Sequence, residues 1–230
     1  MSLAVGGGAA RTALLIASIG VMVGACSGDS GTHQAGEGQN GTPAAKICDG
    51  SLDSSAVTSL QRLSGVETFK ELTGTNEAGA PYKFSLRWAV EHLYDDYARR
   101  GACVVYKVGQ NRPFVDIRFS ASKSHPARGA DPNDRTVEFP VGVFSQVGPD
   151  GADLFFRCTT AAPSSGESGE GADYVKAEMY APKAAMRGNF QVRDRLVILN
   201  SVARAFAKAA GCAAQAQLPT RISEANRKTG

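Results

Sequence analysis

The 230-residue chain carries 25 Lys and Arg against 22 Asp and Glu, a net charge of +3, with 43% hydrophobic and 7% aromatic residues. No run of five like charges occurs, and no basic stripe is interleaved with aromatics, which argues against nucleic acid as a partner. No apolar stretch reaches the roughly 20 residues that a membrane-spanning helix needs.

The N-terminus follows the layout of a secretory signal. One positive charge, Arg11, precedes a charge-free run from Thr12 to Val23, and small residues and a cysteine come next. Val23-Gly24-Ala25-Cys26 resembles the lipobox of bacterial lipoproteins, and with the Gly-Ser tether and the Ala-rich composition the chain looks like an actinobacterial surface lipoprotein. The resemblance implies cleavage after Ala25 and a diacylglycerol on the Cys26 sulfur. Two acyl chains hold a protein stably on a bilayer at about 0.8 kcal/mol per buried CH₂. The expected organisation is therefore a signal peptide over 1–25, a flexible tether over 26–46, one domain over 47–212 and a polar tail over 213–230. The membrane lipid is then the first partner, and the expected location is the extracytoplasmic face.

The folded part begins with a helix from Ser51 to Ser64, capped by Ser51 or Asp53 and ended by Gly65. A second helix, Ser85 to Arg100, places Leu86, Val90, Leu93 and Tyr97 on one stripe. The period then changes. Cys103–Val108 and Phe114–Phe119 read as a β-hairpin, with Val115, Ile117 and Phe119 opposite Asp116 and Arg118. A polar loop covers 121–133, and Thr136 to Phe144 holds a short strand broken by Pro140 and Gly142. Asp153–Cys158 and Tyr174–Tyr180 are further strands, separated by a flexible loop over 163–171. A final helix runs from Asp194 to Ala210 on Leu199, Val202, Phe206 and Ala210. Helices, then strands, then a helix predict an α+β fold: an antiparallel sheet of four to five strands, with about three helices on one face.

Five cysteines leave four once Cys26 is lipidated, enough for two disulfides. Cys103 and Cys212 each follow a helix exit, and their distances from Cys48 and Cys158 are 55 and 54 residues. This points to Cys48–Cys103 with Cys158–Cys212, although four cysteines allow three connectivities.

Catalytic motifs are sparse. There is no Cys-x-x-Cys, His-Glu-x-x-His or Gly-x-Ser-x-Gly. One polar cluster stands out on the second helix: Glu91, His92, Asp95 and Asp96, which a metal could share with His125. The simpler reading is a solvated face, with Arg99 and Arg100 complementing the helix C-terminus rather than holding a ligand. The sequence thus predicts a membrane-anchored binding or structural protein with no metal and no cofactor. Its further partner is an envelope protein or a small ligand. An envelope-acting enzyme with its site near Glu91–Asp96 is the alternative.

Overall fold

The computed structural model describes residues 41–129, 136–161, 171–189 and 191–223. The expected signal over 1–25, Cys26 and the tether as far as residue 40 lie outside the described residues. So do most of the loop over 163–171, the end of the loop over 121–133 and the last residues of the tail. No helix among the described residues is long and apolar enough to cross a membrane.

Eight strands form one sheet: β1 Thr42–Pro43, β2 Thr68–Lys70, β3 Ala102–Lys107, β4 Pro113–Ser122, β5 Val137–Glu138, β6 Phe144–Val147, β7 Gly151–Thr160 and β8 Ala172–Tyr180. Their order is β1-β2-β3-β4-β8-β7-β6-β5, and every neighbouring pair is antiparallel. The class is α+β, but the expected sheet of four to five strands is too small. Three of the additional strands, β1, β2 and β5, are only two or three residues long. Such segments are too short to show a two-residue period, and only their partners make them strands. Pro140 and Gly142 do break the 136–144 segment, with Gly142 at φ +62°, a conformation that favours glycine. The break separates two strands, β5 and β6, where one was expected.

Among the described residues there are four α-helices, where about three helices were expected: α1 Ser54–Ser64, α2 Leu86–Glu91, α3 Gln191–Ala209 and α4 Ala213–Ala216. Asp53 caps α1 by accepting from the Ser55 and Ala56 amides, both at 3.0 Å. Gly65 closes it at φ +72°. The start of α1 lies beside the far half of α3, where Arg204 meets Asp53 at 3.0 Å, while Ser59 bonds Asp194 near the start of α3. The two helices therefore run antiparallel. Leu196, Leu199, Val202 and Phe206 of α3 are buried. Phe206 stacks on Phe119 of β4 with ring centroids 4.2 Å apart and meets Phe156 of β7 edge-on.

The predicted helix over 85–100 is much shorter than expected. It stops at Glu91, where His92 takes φ −108° and ψ 23°, and turns continue to Arg100. The turns beyond Glu91 carry their own polar contacts. Asp95 accepts from His92 Nδ1 at 2.8 Å, and the Asp96 carbonyl accepts from the amides of Arg99 and Arg100. Of the expected stripe, Leu93 is buried and Leu86 and Val90 pack partly buried against the core, but Tyr97 is 56% exposed, so the stripe marked core only as far as Leu93.

Both ends of the folded unit also lie further out than 47 and 212. Thr42 pairs with Phe69, and Ala44 is buried. Beyond Cys212, Gln215 accepts from the Thr159 amide at 2.9 Å, Pro219 accepts from Asn200 at 2.8 Å, and Ile222 is buried. Two disulfides join Cys48 to Cys103 and Cys158 to Cys212, each with Cα atoms 5.2 Å apart.

Candidate functional site

The register of the central strands sorts their side chains onto two unlike faces. Ile117, Phe119 and Ala121 of β4 sit opposite Met179, Ala177 and Val175 of β8, and this apolar face lies under α3. The other face pairs Asp116 with Tyr180, Arg118 with Glu178 and Ser120 with Lys176. Asp153 of β7 is opposite Glu178, and Gln146 of β6 is opposite Asp153. A four-strand polar surface results.

A groove of about 430 Å³ lies on this surface. It is lined by Asp116, Arg118, Asp150, Asp153, Glu178 and the ring of Tyr180, among others. Tyr97, from the turns after α2, reaches across to it, and the Arg118 guanidinium lies 4.0 Å from its ring centroid. The charges are largely answered within the face. Arg118 donates twice to Asp116 Oδ2, from Nε at 3.3 Å and from a terminal nitrogen at 3.0 Å. Lys176 donates to Glu178 at 2.7 Å and reaches Asp153 at 3.0 Å. Burial opposes the Lys176 charge, but these two carboxylates outweigh it and lift its pKa above the ordinary lysine value. Burial first, then the Asp116 charge and Tyr82, raise the pKa of the Tyr106 hydroxyl above the ordinary tyrosine value.

One wall of the groove is pinned from behind. Arg195 of α3 is 1% exposed and donates to the carbonyls of Gly148, Pro149 and Ala181. Gly148 and Asp150 themselves line the groove. Helix and sheet together thus hold the turn between β6 and β7 in place.

The residues singled out by sequence do not assemble a second site. Glu91 pairs with Arg87 at 2.7 Å. His92 stacks on Trp88 at 3.7 Å and bonds Asp95 rather than sharing a helical turn with Asp96. His125 bonds the Pro126 carbonyl and packs edge-on against Tyr174. The Arg99 carbonyl accepts from the Trp88 indole, and α2 ends at Glu91, so Arg99 does not lie in the last turn of a helix as expected. Arg100 extends toward the polar sheet face, donating to the Phe119 carbonyl at 3.5 Å. Among the described residues, one group of potential metal ligands converges, Cys48, Glu71 and Cys103. Its two sulfurs are already joined in a disulfide, and the Glu71 carboxylate accepts from the Cys48 amide at 3.1 Å.

Comparison with models of protein families, with curated proteins and with solved structures found no match. The groove must be read from its own chemistry. Alternation along β4 had placed Asp116 and Arg118 together on the outward side of a strand, which was the available signal. That β8 lies alongside, and that Tyr97 closes over both, depends on contacts between segments far apart in the chain.

Proposed function

We propose that this chain is a lipid-anchored extracytoplasmic protein that binds a ligand on the uncovered face of its sheet and performs no catalysis. The observation that carries this reading is the groove itself. It is concave and within the usual size range of ligand sites, and it joins exposed tyrosine rings to fixed polar groups. Its charges are paired across the face, and no nucleophile with an adjacent base lines it. The address rests on the Val23–Cys26 segment and its resemblance to a lipobox. The enzyme alternative near Glu91–Asp96 gains no support from a segment whose polar groups bond one another.

The test is thermal unfolding of the full chain in a zwitterionic detergent, with divalent cations, envelope glycans and basic peptides supplied in turn. A ligand of the groove raises Tm by mass action, and Asp116→Ala removes the rise. His92→Gln, His125→Gln and Glu91→Gln leave it in place. Loss of turnover of an envelope substrate in those three variants would replace this reading with the enzymatic one. The anchor is checked in parallel, since Cys26→Ser should move the chain out of the membrane fraction.

A further inference from the structure

The groove does not end at Asp116. A second cavity of about 280 Å³ adjoins it on the β3 side of the same sheet, lined by Asn76, Tyr82, Arg100, Tyr106, Asp116 and Arg118, among others. Asp116 and Arg118 line both cavities. Tyr97 stands at the junction, with Arg118 at 4.0 Å and Arg100 at 5.8 Å from its ring centroid. The two hollows therefore make one extended groove with an ion pair at its waist.

Two polar atoms at that waist have no hydrogen-bond partner among the described residues: Asp116 Oδ1, an acceptor, and Arg100 Nε, a donor. Both are buried atoms, and an unpaired polar atom in such a place is costly. Neither atom is open to solvent, so a ligand in the groove meets the exposed groups around them instead. The other strong charges already have partners, Arg118 with Asp116 and Lys176 with Glu178 and Asp153. A ligand need not bring a charge of its own. Around the waist, Tyr97 and Tyr180 are each 56% exposed and Tyr82 is 41% exposed. A tyrosine ring offers an apolar body beside a polar tip, which suits a molecule with apolar C–H faces and hydroxyl edges.

We propose that this two-lobed groove binds a neutral oligosaccharide, with sugar rings lying on the exposed faces of Tyr97, Tyr82 and Tyr180. The proposal rests on the binding role assigned to the sheet face and specifies its ligand. An extended chain of sugar units matches the joined cavities better than a single small molecule, which would fill one lobe and leave the other open to water.

Isothermal titration calorimetry tests it on the full chain, held in a detergent that contains no sugar headgroup. The probes are neutral oligosaccharides cut from bacterial envelope polysaccharides, their uronic-acid counterparts and a lysine-rich peptide. The expected result is binding of a neutral oligosaccharide, weakened about tenfold by Tyr97→Ala and by Tyr180→Ala, each of which removes one exposed ring. Tyr97 is exposed, so its replacement leaves the fold intact, and unchanged circular dichroism checks both variants. Tighter binding of the peptide, lost in Asp116→Ala, overturns the saccharide and leaves the groove as a site for cations. Oligosaccharide binding that neither substitution weakens overturns the groove as its location. Failure of all three probe classes overturns the saccharide proposal and the binding reading with it.

Discussion

At the residue scale, Asp53 shows how one carboxylate can serve two elements. It caps α1 through two amides, and its own amide donates to Ser201 Oγ at 2.8 Å on α3. Burial works against its charge, but the bonds from Ser55, Ala56 and Ser201 and the Arg204 guanidinium outweigh it, so its pKa falls below the ordinary aspartate value. A depressed carboxyl pKa means that the unfolded chain binds the proton more readily. Stability from Asp53 is therefore fully present above the unfolded value of about pH 4 and is lost as pH falls through the lower folded value. Asp53→Ala should cost about 1–2 kcal/mol at neutral pH, and the difference from the parent should shrink in strong acid. Urea unfolding at a series of pH values measures this, and a penalty that grows on acidification would contradict the role. The capping role was visible in sequence from an Asp placed just before an apolar period. The Arg204 and Ser201 partners were not, since they enter from a helix about 150 residues away.

Element by element, the legible parts were those with a strong local period. Helices α1 and α3 and strands β3, β4, β7 and β8 all fall where apolar spacing placed them, within a few residues. The short edge strands carried no period to read, and α2 failed because its apolar stripe continues through turns that bury Leu93 without a helix. The cysteine pairing matches the expected one, although only Cys212 follows a helix exit as expected, since α2 ends at Glu91 and Cys103 lies in β3. Cys158 on β7 and Cys212 before α4 tie the last helices to the sheet across a separation of 54 residues. Removing that link should cost about 4 kcal/mol in the chain-entropy account. The pair Cys158→Ala with Cys212→Ala is the suitable variant, because both positions are buried and a serine hydroxyl there would add a cost of its own. A lower denaturant midpoint at unchanged slope is the expected outcome. An unchanged midpoint would show that the remaining packing of α3 and α4 carries that end of the molecule alone.

Over the whole molecule, the sheet has one face committed to structure and one left to solvent. Helix α3 and its phenylalanine contacts cover the first, while the second carries paired charges, exposed tyrosines and two joined cavities. Outward-facing polar residues on a sheet are ordinary in themselves. What distinguishes this face is that a turn beyond α2 brings Tyr97 over it, and that a terminal nitrogen of the buried Arg195 holds its rim. The candidate site was legible only in fragments, as alternating strands whose partners the sequence could not name. In the proposed setting, a lipid at Cys26 and a polar tether would hold this face within reach of the envelope. Hydroxyl-radical footprinting of the intact chain, on cells and after purification, tests that account most directly. The account predicts that Tyr97, Tyr180 and Tyr82 are less labelled on cells than in the purified chain, while Arg204 and Lys208 on the helix side change little. Equal labelling of the three tyrosines in both states, or protection confined to the helix side, would contradict it.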